Sequence, residues 1–391
     1  ADAPMVSSVR MAGGLPFCKT NTPEFGAGGN TRNRVYGATG NPFNPELTCA
    51  GSSGGSAVAL ALDMMPLATG SDYGGSLRTP AAFCGVVGFR PSPGLVPSAE
   101  KTASLIPWGV LGPMGRTVED AYLLLRAQMT LDRGDPFSSH DADDWPETLE
   151  PADLASIRAA ITPDFGVCPI DHGIRRTFTE RTARLGDVFL DAAQTSADFS
   201  GVHDIFEVHR GLSFASGHQD KLAKHRDLLD RNVIDNTERG LKLKMDEIAR
   251  GFVEQTTLYR RVLSFFDGFD VMIAPAASVS PFPHAQLFVE EMNGEAMPTY
   301  MRWLSISYAP TMALCCAAAI PCGLDHKGMP FGIQVIGPKG RDRTVLEVAL
   351  ALETVFAGEA ASRRPVPPLA TGGTAPAAAK PKSKGKPKAA S

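Results

Sequence analysis

No apolar run in this sequence approaches the roughly 20 residues needed to cross a bilayer, so a membrane span is not expected. Cysteine is sparse and odd in number: seven thiols scattered along the chain argue against a disulfide framework and suit a reducing cytoplasm. No cysteine or histidine pair has zinc-like spacing, so a zinc site is not expected. Cys315 and Cys316, adjacent in an apolar run, read as packed core thiols. A basic excess is missing as well. The net charge is −4, and five lysines (Lys380, Lys382, Lys384, Lys386, Lys388) crowd residues 370–391 without an acid, leaving −9 on the rest. An acidic body does not suit nucleic acid. The opening ADAPMVSSVRMAGG lacks the basic-then-apolar order of a signal peptide.

What is present is a large, ordinary globular composition, 391 residues with 43% hydrophobic, enough to bury an extensive core. Apolar runs at residues 15–19, 65–70, 157–161, 269–276, 311–321 and 331–336 read as strands. Helical patterns cover residues 3–12, 54–64, 171–186, 203–232, 236–267 and 344–355, and Thr117 opens another to about Met129 through a capping box with Asp120 in the usual Glu place. Strands alternating with helices predict an α/β fold, a mixed and twisted sheet covered by helices on both faces. Residues 132–260 are the expected lid or insertion. Residues 363–391, rich in Ala, Pro and Lys, read as a disordered tail after a domain over 1–362.

Two glycine- and serine-rich runs stand close together: GSSGGS at 51–56 and GSDYGGSLR at 70–78. A helix over residues 54–64 rises about 16 Å, and a strand over 65–70 returns about 20 Å, so the runs can meet. In the second run, Gly74, Gly75 and Ser76 leave backbone N–H groups unshielded, and convergent N–H donors stabilise the oxyanion of acyl transfer. A serine ending such a turn is placed as a nucleophile. Asp72 and Arg78 flank the turn and would pair to stiffen it. From the residues alone, either Ser52 or Ser53 would serve as its partner.

These runs, with CKTNTPEF, NRVYGATGNPFNP, GRTVEDAYLLL, FDVMIAPAASVSPFP and GMPFGIQVIGP around them, resemble the amidase signature family of serine hydrolases. The resemblance implies a Ser–Ser–Lys triad on an α/β fold and hydrolysis of a small-molecule amide without a metal or organic cofactor, with a homodimer as one assembly. It assigns Ser76 as nucleophile and Ser52, after a cis peptide, as the proton relay. Tyr73, Gly74, Gly75 and Ser76 would supply the oxyanion hole, with Ser53, Asp72 and Arg78 as supports. A relative within the family is the glutamine-hydrolysing subunit of a tRNA-dependent amidotransferase, the alternative to a free-standing amidase.

A serine needs a base, and burial lowers a lysine by up to about 3–5 units, enough to serve. Lys19 is the only lysine before Ser52 and lies in CKTN, which matches a structural segment of the family. The family's lysine is therefore expected ahead of Ala1, in a chain read as N-terminally truncated, with an inactive remnant as a further alternative. A competing reading takes Gly51–Gly55 as a G-x-S-x-G elbow with Ser53 as nucleophile and Asp270 and His284 as partners, but the segment before it is a poor strand. Phosphate binding by GSSGGS lacks the Lys-Ser/Thr of a P-loop. His172, His218 and His326 show no ligand spacing and are expected on the surface or in loops.

Overall fold

The computed structural model describes residues 2–138 and 140–368. Eight strands form one sheet: β1 (Leu67–Asp72), β2 (Val87–Arg90), β3 (Val110–Gly115), β4 (Arg158–Ile161), β5 (Asp191–Gln194), β6 (Val271–Pro275), β7 (Cys316–Leu324) and β8 (Pro330–Gly337). Their spatial order is β1-β3-β2-β7-β8-β6-β4-β5. Strands β4, β5 and β6 pair in parallel and the other neighbours are antiparallel, so the sheet is mixed. The helices are α1 (Pro4–Met11), α2 (Gly54–Ala61), α3 (Arg78–Cys84), α4 (Val118–Gln128), α5 (His172–Thr182), α6 (Val202–His225), α7 (Arg231–Leu241), α8 (Met245–Phe265), α9 (Ser305–Met312) and α10 (Asp342–Ala357).

Alternation along the central strands explains the continuous apolar runs. In β6, Met272 and Ala274 join one buried cluster with Phe206 and Tyr308, while Val271 and Ile273 join another with Leu346 and Phe356. In β7, Ala317 and Ala319 face the first cluster and Ala318 and Ile320 the second. Both faces of these strands are covered, so neither needs polar positions. Cys315 and Cys316 are fully buried, and all seven cysteines are free. Among the described residues no helix is long and apolar enough to cross a membrane.

Several boundaries differ from the sequence reading. Residues 15–19 form no strand: Leu15 is 84% and Phe17 69% exposed, without a neighbour to pair with. The run at 311–321 splits into the end of α9 and the start of β7, because an unbroken apolar run carries no period to separate helix from strand. The long helices predicted over 203–232 and 236–267 break into α6, α7 and α8, with the Asp230 carboxylate capping α7 through Asn232 N–H at 3.0 Å. At α4 the Thr117 hydroxyl accepts from Asp120 N–H (3.1 Å), but the Asp120 carboxylate accepts from Arg116 N–H rather than closing the box. His218 stands within α6, half-buried between Phe25 and Phe214, rather than on a loop.

Within 132–260, β4 and β5 belong to the same sheet as the rest. Arg364, expected in the tail, donates to the Gly85 carbonyl at 3.0 Å, so the body continues past 362. The lysine-rich part of the expected tail lies outside the described residues.

Candidate active site

The two glycine-serine runs meet. Strand β1 ends at Asp72 and the chain turns through Tyr73–Leu77 into α3, while the first run enters α2 immediately beside it. The Ser53 N–H donates to the Ser76 carbonyl at 3.3 Å. Ser53 Oγ accepts from Ser71 N–H (3.3 Å) and donates to Ser71 O (3.4 Å), and Ser56 Oγ donates to Thr69 O (2.9 Å). Two hydroxyls at the start of α2 thus follow the edge of β1. Gly70 allows this approach, since a Cβ there would stand 2.6 Å from Ser53 Oγ.

Ser52 is placed differently from its neighbour. It follows a cis peptide at Gly51–Ser52, which the resemblance implied. Upstream, Thr31 holds the approach by donating its hydroxyl to the Ala50 carbonyl at 2.7 Å. Ser52 is 5% exposed, yet its Oγ has no hydrogen-bond partner among the described residues and is not sealed from solvent. Ser76 is half-buried, and its Oγ is likewise unpartnered and accessible. No hydrogen bond joins the two hydroxyls.

The turn itself is held from below by Asp72. Its buried carboxylate accepts from Gly75 N–H (2.9 Å), Leu77 N–H (3.2 Å) and both Arg78 Nε and Nη2 (3.0 Å each). Arg90 Nη1 adds a longer contact to Oδ1 (3.5 Å) and a short bond to the Asp72 carbonyl (2.6 Å). Burial opposes ionisation of Asp72, but the two guanidinium groups and these hydrogen bonds outweigh it and hold the carboxyl at about 2. Burial brings Arg90 down to about 10, so it stays charged at neutral pH. Arg78 reaches on to Gln334 Oε1 (2.8 Å) and Thr311 Oγ1 (3.1 Å), anchoring the turn to β8 and α9.

Of the four backbone amides at the turn, Gly75 N–H points at Asp72, while those of Tyr73, Gly74 and Ser76 have no acceptor among the described residues. Gly75 has φ +109°, and a Cβ there would lie 2.4 Å from Ser307 Cβ, so only glycine fits. Arg90, Gln334 and Thr311 were not singled out in the sequence. Arg90 had one legible signal, a charged residue ending the otherwise apolar VGFR.

Other expectations are not brought together. Lys19 is exposed, without the burial a catalytic lysine needs, although its neighbours dock on α2 through Thr20 to Ser56 (2.9 Å) and Gly55 N–H to Asn21 O (3.3 Å). Asp270 is engaged by Arg158 (backbone N–H 2.8 Å, Nε 3.2 Å), and no contact links it to Ser53 or His284. Among the described residues no three His, Cys, Asp or Glu converge as a metal would require.

A cavity of about 430 Å³ opens on one side of Tyr73, lined also by Met5, Ser98, Lys101 and Val110. Burial lowers the Lys101 ammonium from its ordinary range, partly offset by Asp135. The Tyr73 ring also meets Phe206 edge-on, and its hydroxyl lies 3.4 Å from Ser213. Burial pushes the Tyr73 phenol up to about 12, so the ring is neutral.

The model of the Amidase family matches residues 1–346. An acylamidase of Rhodococcus erythropolis is 29% identical over 360 residues, covering 90% of this chain and 75% of that protein. A glutamyl-tRNA(Gln) amidotransferase subunit of Thermosynechococcus vestitus is 29% identical over 385 residues, covering 90% and 77%. The crystal structure of a bacterial aryl acylamidase of the amidase signature enzymes superposes with a TM-score of 0.79 at 25% identity, over 90% of this chain and 75% of that one. With the family match spanning most of its length and the paired serine loops in place, the chain belongs to the amidase signature family.

Proposed function

We propose that this chain hydrolyses a small-molecule carboxylic amide to a carboxylate and ammonia or an amine, through an ester formed on Ser76. The supporting observation is the turn over Asp72: a free Ser76 hydroxyl sits beside the unpaired N–H groups of Tyr73, Gly74 and Ser76. Ser76 Oγ attacks the amide carbon while Ser52 Oγ takes its proton and passes its own to the amide nitrogen. The carbonyl oxygen becomes an oxyanion and takes the three free amides. Gly75 keeps its own N–H on Asp72, giving the turn its shape. Collapse breaks the C–N bond, and the nitrogen leaves with the proton received from Ser52. Water then cleaves the ester and frees Ser76. The resemblance gives the base beyond Ser52 to a lysine; among the described residues no lysine hydrogen-bonds to Ser52 or Ser76, and no step is drawn past Ser52.

A fluorophosphonate probe tests this reading directly. Labelling on Ser76 that disappears in Ser76→Ala and slows in Ser52→Ala is the expected result. A label that follows Ser53, or a folded chain that takes no label, overturns it.

A further inference from the structure

Three arginines are buried among the described residues: Arg78 and Arg90 at 0% exposure and Arg210 at 5%. The first two face Asp72. Arg210, on α6, has no carboxylate within ion-pair distance among the described residues. Its Nε donates to Asn236 Oδ1 (3.2 Å) and Tyr300 Oη (3.2 Å), and its Nη2 to Tyr300 Oη (2.7 Å), all neutral acceptors. Nη1 has no hydrogen-bond partner there and is not sealed from solvent. Aromatic rings surround the guanidinium carbon, with centroids at 4.6 Å (Phe214), 5.6 Å (Tyr73), 5.8 Å (Tyr300) and 5.9 Å (Phe206).

A buried guanidinium without a counter-ion is costly, and aromatic faces compensate only in part. Its planar array of N–H donors also suits an oxyanion such as a carboxylate. Its position ties it to the turn. Tyr73 contributes both a backbone amide beside Ser76 and one wall of the Arg210 cage, and Phe206 bridges the two, its Cζ 3.8 Å from where a Gly74 Cβ would be. One aromatic ring therefore separates Arg210 from the reacting end of the site.

We propose that Arg210 is a specificity residue that receives a carboxylate on the substrate, so the preferred substrates are amides that also carry a free carboxylate. This rests on the reading of Ser76 as nucleophile. Nη1 faces the incoming carboxylate, and Tyr300 and Asn236 hold the guanidinium in place.

The test uses the full chain carrying Ser76→Ala, so that ligand is not consumed, and calorimetric binding of glutaramate against its neutral methyl ester. Glutaramate should bind roughly 10- to 100-fold tighter than the ester, the range of a hydrogen bond to a charged group. The preference should vanish in Arg210→Met and fall several-fold in Arg210→Lys, which keeps the charge but loses the fork. Arg210→Lys also carries the test should Arg210→Met fail to fold. Equal binding of acid and ester, or a preference kept in Arg210→Met, overturns the proposal. Fluorophosphonate labelling of the unmodified chain reads the nucleophile separately. A labelled Ser76 with no charge preference defeats the Arg210 assignment alone, whereas a charge preference without labelling defeats the nucleophile.

Discussion

Replacing Asp72 by asparagine removes one charge and almost no volume, which isolates what the carboxylate does. In the native turn it faces Gly75 N–H, Leu77 N–H and the forks of Arg78 and Arg90, all donors. The amide puts an NH2 group against at least one of those donors and leaves two guanidinium groups at 0% exposure without a counter-ion. Breaking a buried pair in this way costs about 3–5 kcal/mol, against a total stability of about 5–15 kcal/mol. Thermal unfolding should fall by about 5–15 °C at pH 7.

The pH dependence supplies the sharper test. Asp72 is held at about 2 in the fold against an ordinary value of 3.8. A lowered carboxyl stabilises above its unfolded value, and that contribution is lost as pH falls through the folded one. The shift corresponds to about 2 kcal/mol. Urea unfolding of both proteins should therefore show a gap that is constant from pH 7 to about 4 and narrows from there toward pH 2. A loss below about 1 kcal/mol at pH 7, or a gap unchanged into the acid range, would refute the account of Asp72 as the keystone of the turn.

Two further perturbations follow from the same geometry. Gly75→Ala places a methyl 2.4 Å from Ser307 Cβ at a positive φ, whereas Gly74→Ala meets nothing nearer than the flexible end of Met301 at 3.2 Å; labelling of Ser76 should drop at least about 100-fold in the first and less than about 10-fold in the second, as a displaced amide costs in an oxyanion site, and equal effects would count against the turn. Away from the site, burial pushes Glu353 from an ordinary 4.5 to about 7, despite the Val118 N–H it accepts at 3.1 Å. A raised carboxyl loses the fold stability as pH climbs from 4.5 to 7, by about 3 kcal/mol, so Glu353→Gln should stabilise at pH 8 and have little effect at pH 4.5; urea unfolding that shows the same difference at both would contradict this.

The parts of the fold legible in the sequence were those with a local cause. The apolar run FDVMIAPA reads as a buried strand because both faces of β6 are covered, and GGSAVALA reads as a helix buried all round for the same reason. Strands β2, β3 and β5 were missed: VGFR and VLGPMG are short and broken by glycine or proline, and DAAQ is a weak edge strand, so their pairing is set by partners distant in sequence. The same divide runs through the site. Asp72 and Arg78 were legible because they bracket one turn. Gln334 lies in β8 and Thr311 in α9, and their link to Arg78 exists only once the sheet has closed. Arg210 gave no sign in HRGLSFASG, since its cage is drawn from three segments of the chain.

The choice between Ser52 and Ser53, open on residue type alone, turns on which hydroxyl the backbone has already engaged. Ser53 Oγ both accepts from and donates to Ser71, and its N–H holds the Ser76 carbonyl, so attack or relay through it would require breaking the contacts that align the two runs. Ser52 Oγ has no such partner and remains accessible although its residue is 5% exposed. A relay must lose and regain a proton without moving the chain around it, and a hydroxyl free of structural bonds meets that requirement. On the proposed reading the two adjacent serines divide the work: Ser53 aligns the runs, and the neighbouring hydroxyl is left free for proton transfer. It follows that Ser53→Ala should lower stability and labelling together, whereas Ser52→Ala should slow labelling of Ser76 while leaving the unfolding midpoint nearly unchanged. Loss of stability in Ser52→Ala equal to that in Ser53→Ala would remove the distinction.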